Sequence, residues 1–421
     1  MASLSLNYLL RIGLIICWIS QIISFVNEDY IEVTSLSLIF KAFRILPFFS
    51  IIYFYVYKGK LPYISWIYLF CAAGSALISY TLLISCCPNQ FIGGFLFLIS
   101  LSSLLIVSIK PSLLKIESFY NTFFLNIFKI FFYSNILIQI FQTFFSSKFS
   151  LPFNVFGQTF WIRTLGFFSL PSSTAIASLS MLCLFSHITI KTNNIISDNG
   201  RLRFTLLYVF PTFISILSAA SGTAIIGFII YLHLSRADLL YNKLPNIKQF
   251  RIFVYYPIIN LLIIIIPILF SVYFALPYFS GRSDILTSLI GRFNIFYDLP
   301  ESSNTLLPNL NNFGTYTNYF QSYGSSILVN ISDSSLTSLY AQYGLIIFFV
   351  ISLIFLTFFL KIYTSRWNYL TNKVNNNYIL PTALSLLPAF ITTNIFENYL
   401  CMISLILCLE PFLYNKVKDI P

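Results

Sequence analysis

Residues 204–234 read FTLLYVFPTFISILSAASGTAIIGFIIYLHL. This stretch is longer than the roughly 20 residues that one helix needs to cross a hydrocarbon core. Near its middle, the run Ser218-Ala-Ala-Ser-Gly222 groups small residues, which allow a close turn. The pattern predicts two short spans, 204–218 and 221–234, joined as a tight hairpin. The alternative is a single long span, which would invert the orientation of every later segment.

The composition of the whole chain places this hairpin in a membrane protein. Of 421 residues, 57% are hydrophobic and only 9% are charged, and the mean hydropathy is +0.83. A soluble domain keeps roughly 25% charged residues to cover its surface. We predict an all-α polytopic protein, a single integral membrane domain over 1–421, with about twelve transmembrane helices. The predicted spans are approximately 6–26, 34–57, 62–84, 92–109, 118–145, 172–190, 204–218, 221–234, 252–276, 338–360, 378–396 and 399–415.

The basic residues orient these spans. The net charge is +11, and the Lys and Arg of membrane proteins collect in cytoplasmic loops. With both termini in the cytoplasm, most of the 24 basic residues lie on that side, and the outer loops hold Lys148, Arg163, Arg282 and Arg292. A single span over 204–234 would put basic loops on the outside. We therefore expect a multi-pass protein of the bacterial inner membrane, with no nucleic-acid partner.

Two predicted outer loops are long, 146–171 and 277–337. Long ordered connections usually carry function. In the larger loop, Ser283 is a candidate helix N-cap, and apolar residues then recur at helical spacing, at Ile285, Leu289, Phe293 and Phe296. This pattern predicts a helix in the membrane interface. Arg292 lies on the same stripe, either as an anchor for lipid headgroups or as a ligand for a buried anion.

The middle of the larger loop is rich in Asn and Tyr and includes Tyr316 and Tyr319. Amides suit sugar hydroxyls, and aromatic faces can pack on sugar rings, so this segment is a candidate for binding a saccharide. The alternative is an ordinary loop rich in turn-forming Asn.

Asp333 and Arg163 are the candidate catalytic groups next to these spans. Asp333 stands just before the tenth span, where it either caps the helix or takes a proton from a hydroxyl. Arg163 either anchors the smaller loop to headgroups or joins an arginine of the larger loop in binding a diphosphate. Arginine suits the second role because its planar guanidinium grips phosphate with two parallel donors and stays charged.

Lys41 and Arg44 lie within the second predicted span, three residues apart and so on one face of a helix. A charge at the centre of a membrane helix costs roughly 2.5–3.5 kcal/mol on insertion scales, and such residues usually line a cavity. The in-membrane charge is mainly positive, which favours an anionic ligand. The seven Cys and two His show no metal-ligand spacing, so we expect neither a metal nor an organic cofactor.

Three short segments between about residues 150 and 350 carry a resemblance to a known family. They are Arg163-Thr-Leu-Gly-Phe-Phe-Ser-Leu-Pro171, Leu217-Ser-Ala-Ala-Ser-Gly-Thr-Ala224 and Asp333-Ser-Ser-Leu-Thr-Ser-Leu-Tyr-Ala-Gln-Tyr-Gly344. In order and topology they resemble the O-antigen and capsule polysaccharide polymerases of the Wzy type, which are relatives of the O-antigen ligases. The order of the segments matters more to this resemblance than any single one of them.

The resemblance implies a GT-C-like membrane glycosyltransferase that works at the periplasmic face. Such enzymes transfer a growing glycan from one undecaprenyl diphosphate to a new repeat unit on another, and a chain-length regulator protein is a further expected partner. The family's outer-loop arginines correspond to Arg163 and to either Arg282 or Arg292. Asp333 is our candidate for the group that takes the proton of the acceptor hydroxyl.

Rival functions differ in what they require of the outer loops. A flippase for lipid-linked oligosaccharides also needs many spans and a cationic cavity, but alternating access needs no large outer loop. A resemblance to the O-antigen ligases would imply a His in the large outer loop, and 277–337 has none. A membrane acyltransferase normally needs a His-containing site. The sequence therefore favours the polymerase.

Overall fold

The computed structural model describes residues 2–26, 39–40, 42–57, 88–109, 122–144, 150–155, 158–168, 170–191, 198–219, 221–241, 334–336, 338–340, 342–353 and 379–407. Within these ranges the chain is helical apart from one β-hairpin, so the predicted helical class is confirmed there. The predicted spans 62–84 and 252–276, and the larger outer loop through residue 333, lie outside the described residues. The number of twelve spans therefore stays a prediction.

The described helices coincide with predicted spans, except for the short helix Asp198–Phe204, which lies almost wholly in the connection predicted between 190 and 204. In chain order they are α1 (Ala2–Val26), α2 (Leu46–Tyr57), α3 (Pro88–Ile109), α4 (Thr122–Phe144), α5 (Pro171–Lys191), α6 (Asp198–Phe204), α7 (Phe210–Ser218), α8 (Gly222–Tyr241), α9 (Gln342–Leu353), α10 (Ile379–Thr392) and α11 (399–407). Two 3-10 turns, Phe43–Ile45 and Ile395–Glu397, precede α2 and α11. A π-helical turn, Thr205–Val209, joins α6 to α7.

The stretch 204–234 is broken into two helices at the run of small residues, as predicted. α7 ends at Ser218 and α8 begins at Gly222. Ser221 caps α8, because its Oγ accepts a hydrogen bond from the Ala224 N–H at 3.5 Å. Both helices pack against α5.

The smaller outer loop departs from the all-helical expectation. It contains an antiparallel hairpin of β1 (Ser150–Val155) and β2 (Gln158–Thr164), in which Leu151 is paired with Arg163. Phe, Trp, Ile and Val favour extended backbone, and this segment is rich in them. The sequence analysis predicts only a long outer loop over 146–171 and misses the pairing of its two halves.

α5 lies at the centre of the described helices. It contacts α4, α7, α8 and α10, and every residue from 174 to 186 is buried. α8 and α10 approach each other closely at Gly227, where a Cβ atom would lie 2.3 Å from the Ser385 carbonyl oxygen. On the other side, α1 packs on α2 and α4, and α2 packs on α3.

The polarity of the packing suits a lipid environment. Many Ser, Thr, Asn and Gln side chains are buried, whereas large apolar side chains such as Leu137 and Phe144 face outward. By length and hydropathy, Leu125–Phe144 is the one helix in the described ranges that is long and apolar enough to cross a membrane. Shorter apolar helices of 10–17 residues account for much of the rest.

Candidate functional site

A constrained turn, residues 164–168, follows Arg163 and leads from β2 toward α5; we call it the Arg163 turn. Gly166 has a φ of +59°, in the left-handed region that favours glycine. A Cβ at Gly166 would lie 2.3 Å from the Oδ1 of Asn135 on α4. Glycine is therefore required here both by the backbone and by the space available.

The Gln142 side chain on α4 forms three hydrogen bonds to the backbone of this turn. Its Oε1 accepts hydrogen bonds from the Leu165 N–H at 3.0 Å and the Gly166 N–H at 2.8 Å. Its Nε2 donates to the Gly166 carbonyl oxygen at 3.2 Å. Gln142 is buried, so these three bonds form away from solvent.

Two more buried amides on the same face of α4 extend this contact. Asn135, Gln139 and Gln142 are four and three residues apart, which aligns them along the helix. Asn135 Oδ1 accepts from the Phe167 N–H at 3.0 Å. Gln139 Nε2 donates to Thr164 Oγ1 at 3.1 Å and bridges to α7, where Ser215 Oγ donates to Gln139 Oε1 at 2.6 Å.

Side chains from α1 and α5 complete the cradle. Gln21 Nε2 on α1 donates to the Phe167 carbonyl oxygen, and Thr174 Oγ1 on α5 donates to the Leu165 carbonyl oxygen. The Arg163 turn is therefore bonded to three helices, and Gln139 ties it to a fourth. A buried polar group left without a partner costs about 1–3 kcal/mol, so the turn is strongly favoured in this one position.

A second polar junction lies where α10 gives way to α11. Ser335, two residues after Asp333, bonds to this break twice: its Oγ donates to the Thr393 carbonyl oxygen at 2.8 Å and accepts from the Ile395 N–H at 2.9 Å. Asn394 Nδ2 donates to Ser338 Oγ at 3.4 Å. The segment that follows Asp333 is thus fixed to the 393–398 break.

The beginning of α5 connects the two junctions. Asn398 Nδ2 donates to the Ser173 carbonyl oxygen at 2.8 Å, and its Oδ1 caps α11 by accepting from the Cys401 N–H at 3.1 Å. The next residue of α5, Thr174, bonds to the Arg163 turn. The turn that follows Arg163 therefore bonds to α5 directly, and the segment after Asp333 is linked to the preceding residue of α5 through the 393–398 break.

The predicted site residues differ in what the structure says of them. Arg163 is placed by its backbone in β2, opposite Leu151, and its prediction as a ligand stays untested. Arg44 is described as well. The other predicted site residues lie outside the described ranges; they are Asp333, Arg292, Arg282, Lys41, Tyr316 and Tyr319.

Arg44 is buried, as expected of a cation within a span. It lies in the 3-10 turn before α2 rather than inside a continuous helix. The Cys17 Sγ of α1 donates to the neighbouring Phe43 carbonyl oxygen at 3.3 Å, so this turn packs directly on α1. The shared helical face predicted for Lys41 and Arg44 is not tested, because Lys41 is outside the described residues.

Sequence reasoning missed the groups that build the two junctions. Asn135, Gln139 and Gln142 follow helical spacing within an apolar span, and that spacing is a signal of a buried polar face. In the run Thr393-Asn-Ile-Phe-Glu-Asn398, polar residues interrupt an apolar stretch and mark a helix break; Glu397 is the acidic residue in it. Neither signal requires a homologue to be recognised.

The described contacts fix the strand that contains Arg163 and the 393–398 break near the beginning of α5. The chain contains no group of three His, Cys, Asp or Glu side chains able to hold a metal ion, within the ranges that the structure describes. Comparison of the chain with protein-family models, with curated proteins and with solved structures finds no match.

Proposed function

We propose that this chain is a polysaccharide polymerase, a GT-C-like glycosyltransferase of the bacterial inner membrane with about twelve spans. It transfers a glycan from one undecaprenyl-diphosphate carrier to a repeat unit on a second carrier. The reaction takes place at the periplasmic face, with both chain termini in the cytoplasm.

The observation that supports this proposal most is the convergence of two distant segments on α5. The Arg163 turn bonds to Thr174, and the segment after Asp333 reaches Ser173 through the 393–398 break. Arg163 and Asp333 are far apart in sequence, and each belongs to a motif that resembles the polymerases. A common anchor for both motifs is what a single active site requires.

Helix ends add to the favourable electrostatics for a diphosphate. The N-termini of α5 and α11 adjoin each other through the Asn398–Ser173 hydrogen bond. Each helix N-terminus carries about half a positive charge, which stabilises anions nearby. Together with Arg163, these ends favour binding of a negatively charged leaving group on this side of the protein.

The proposed reaction balances with few parts. The bond between the glycan anomeric carbon and the diphosphate oxygen breaks, and its electron pair leaves with the lipid diphosphate. A bond forms between that carbon and an acceptor hydroxyl oxygen, whose proton passes to Asp333. Arg163 and Arg292 or Arg282 stabilise the charge that develops on the diphosphate, and Tyr316 and Tyr319 bind the sugars.

The outward apolar surface supports the membrane placement. On α4, the exposed side chains include Ile130, Leu137, Phe141 and Phe144. On the π turn and α7, Leu206, Phe210 and Phe213 are likewise exposed. Large apolar side chains exposed in this number fit hydrocarbon better than water.

The glycolipids of a strain that lacks the protein test the proposal against its rivals. Loss of a polymerase leaves lipopolysaccharide with one repeat unit and removes the longer ladder. If no repeat unit reaches the core at all, a flippase or a ligase explains the protein better. For a capsule pathway, the equivalent measurement is the loss of polymer with retention of the lipid-linked unit.

An Asp333→Asn variant tests the proposed base. Asparagine caps a helix about as well as aspartate, so a capping role predicts near-normal polymer. The base role predicts a loss as severe as that of Asp333→Ala at unchanged membrane abundance. A fully active Asp333→Asn protein would exclude the base assignment.

A further inference from the structure

We infer that Gln142 is a positioning residue for Arg163, an inference that rests on the proposed function. Gln142 binds the backbone two and three residues beyond Arg163 and thereby fixes the position of Arg163. It acts through Arg163 and is not proposed to touch the substrate.

The hairpin that carries Arg163 needs such support. In the described ranges β2 pairs with β1 alone, and an isolated two-stranded hairpin is at best marginally stable. α4 also contacts β2 directly. The position of Arg163 therefore depends on the parts of α4 and α7 that contact β2 and on the groups that bind the Arg163 turn.

Among those groups, Gln142 makes the most hydrogen bonds to the Arg163 turn. Its amide oxygen accepts two N–H bonds from the turn and its amide nitrogen donates a third. By contrast, Gln21 Oε1 and Asn135 Nδ2 are buried without a hydrogen-bond partner in the described part of the chain. Gln142 alone grips both an N–H and the C=O of Gly166, which fixes the orientation of that residue as well as its location.

α4 is itself a rigid support for this clamp. One turn before Gln142, Gln139 is bonded to Ser215 of α7 through both amide atoms: Nε2 donates to the Ser215 carbonyl oxygen at 3.1 Å and Oε1 accepts from Ser215 Oγ at 2.6 Å. Ser215 Oγ lies 2.8 Å from Ser178 Oγ of α5. Functional groups held by a locked supporting layer on regular helices keep their geometry better than groups on free loops. Here α5 and α7 fix Gln139, and Gln142 on the same helix binds the turn next to Arg163.

A double-mutant cycle separates positioning from general stability. A displacement of about 1 Å in a catalytic group can lower a rate about 100-fold. We expect Gln142→Leu to reduce polymer formation on that scale when Arg163 is present, and to add little in an Arg163→Ala background. Gln142→Asn, which keeps the amide but shortens its reach, should show the same coupling.

The matched control is Thr143→Val, which removes the neighbouring hydroxyl on α4. That hydroxyl bonds only within its own helix among the described contacts, to the Gln139 carbonyl oxygen at 2.9 Å, and Thr143 is exposed. Membrane abundance is measured for every variant. If the effects of Gln142→Leu and Arg163→Ala multiply in full, Gln142 acts independently of Arg163 and the inference is wrong.

A second measurement does not depend on polymer formation. In an Arg163→Cys protein, the rate of labelling by a membrane-impermeant maleimide reports the position of residue 163. Gln142→Leu should change this rate and Thr143→Val should not. An unchanged rate in the Gln142→Leu protein overturns the inference even if the polymerase proposal holds, and a changed rate supports the clamp even if that proposal fails.

Discussion

The two faces of α4 differ in polarity and in exposure. The inward face carries Asn135, Gln139 and Gln142, all buried. On the outward face, Leu137 is 65% exposed and Phe144 is 78% exposed. A helix on the surface of a soluble protein has the opposite arrangement, with its apolar stripe inward and charges outward.

This reversed polarity indicates which contacts stabilise the fold. In hydrocarbon, outward apolar side chains lose nothing on exposure, and buried polar groups contribute through the hydrogen bonds they complete. The amides of α4 supply most of the hydrogen bonds that the described side chains make to the backbone of the Arg163 turn. The same contacts that hold the helices together therefore fix the strand that carries the candidate catalytic arginine.

The largest expected effect is all-or-none and concerns the direction of the spans. If 204–234 forms two spans, the predicted topology has Lys243 in the cytoplasm and Asn312 outside. A fusion at Asn312 should be active only with a periplasmic reporter, and a fusion at Lys243 only with a cytoplasmic one. Activities in the reversed pattern would remove the outer-face site.

The next effect is on the turn that the inward face grips. Gly166→Ala should destabilise the protein by about 2–5 kcal/mol, combining the left-handed backbone with overpacking against Asn135. The measure is the midpoint of thermal unfolding in detergent. Gly222→Ala is the matched control, because no atom lies within 4 Å of a Cβ built there. Equal behaviour of the two variants would contradict the described turn.

Charging the outward face tests the proposed hydrocarbon contact. Leu137→Lys should reduce membrane insertion by about 2.5–3.5 kcal/mol, the cost of a lysine at a helix centre on insertion scales. Leu137→Met keeps the side chain apolar and should insert normally. The amount of each protein in the membrane fraction is the readout. Normal insertion and stability of the lysine variant would show that this face is not in contact with lipid.

A smaller effect is expected on the inward face. Gln139→Leu should destabilise the protein by about 1–3 kcal/mol, because Thr164 and Ser215 each lose a buried partner. Its control, Thr143→Val, should remain within about 0.5 kcal/mol, as exposed substitutions usually do. The measurement is the thermal unfolding midpoint of each variant. An unchanged midpoint for Gln139→Leu would contradict the claim that the buried amides of α4 stabilise the fold.

Sequence alone predicts most of the described helices and the break at 218–222, because hydrophobic blocks and small residues are local signals. It did not predict the β-hairpin at 150–164, whose strands are too short for a clear alternation. The Arg163 turn depends on pairings such as Gln142 with Gly166 and Gln21 with Phe167, between residues that are distant in sequence. Such pairings leave no periodic pattern, so only the amides of α4 could have been suspected in advance.

The same reasoning explains the result for the candidate site. The motif that contains Arg163 was identified from its residues, but its anchorage to α5 was not. The predicted spans 378–396 and 399–415 place most of the 393–398 break inside a continuous helix, which the structure does not show. Hydrogen bonds to Ser335 and Ser173, which are distant in sequence, link this break to the segment after Asp333 and to α5.

The most direct test of the central claim compares Arg163→Ala with Lys148→Ala, two outer cations of the same predicted loop. If Arg163 stabilises the leaving diphosphate, its removal should cost about 2–4 kcal/mol of transition-state stabilisation, or about 30- to 1000-fold in the rate of polymer formation. Arg163→Lys should restore only part of the rate, because it keeps the charge and loses the planar pair of donors. Lys148→Ala should form polymer at close to the normal rate. Full polymer length from Arg163→Ala at normal membrane abundance would contradict the account.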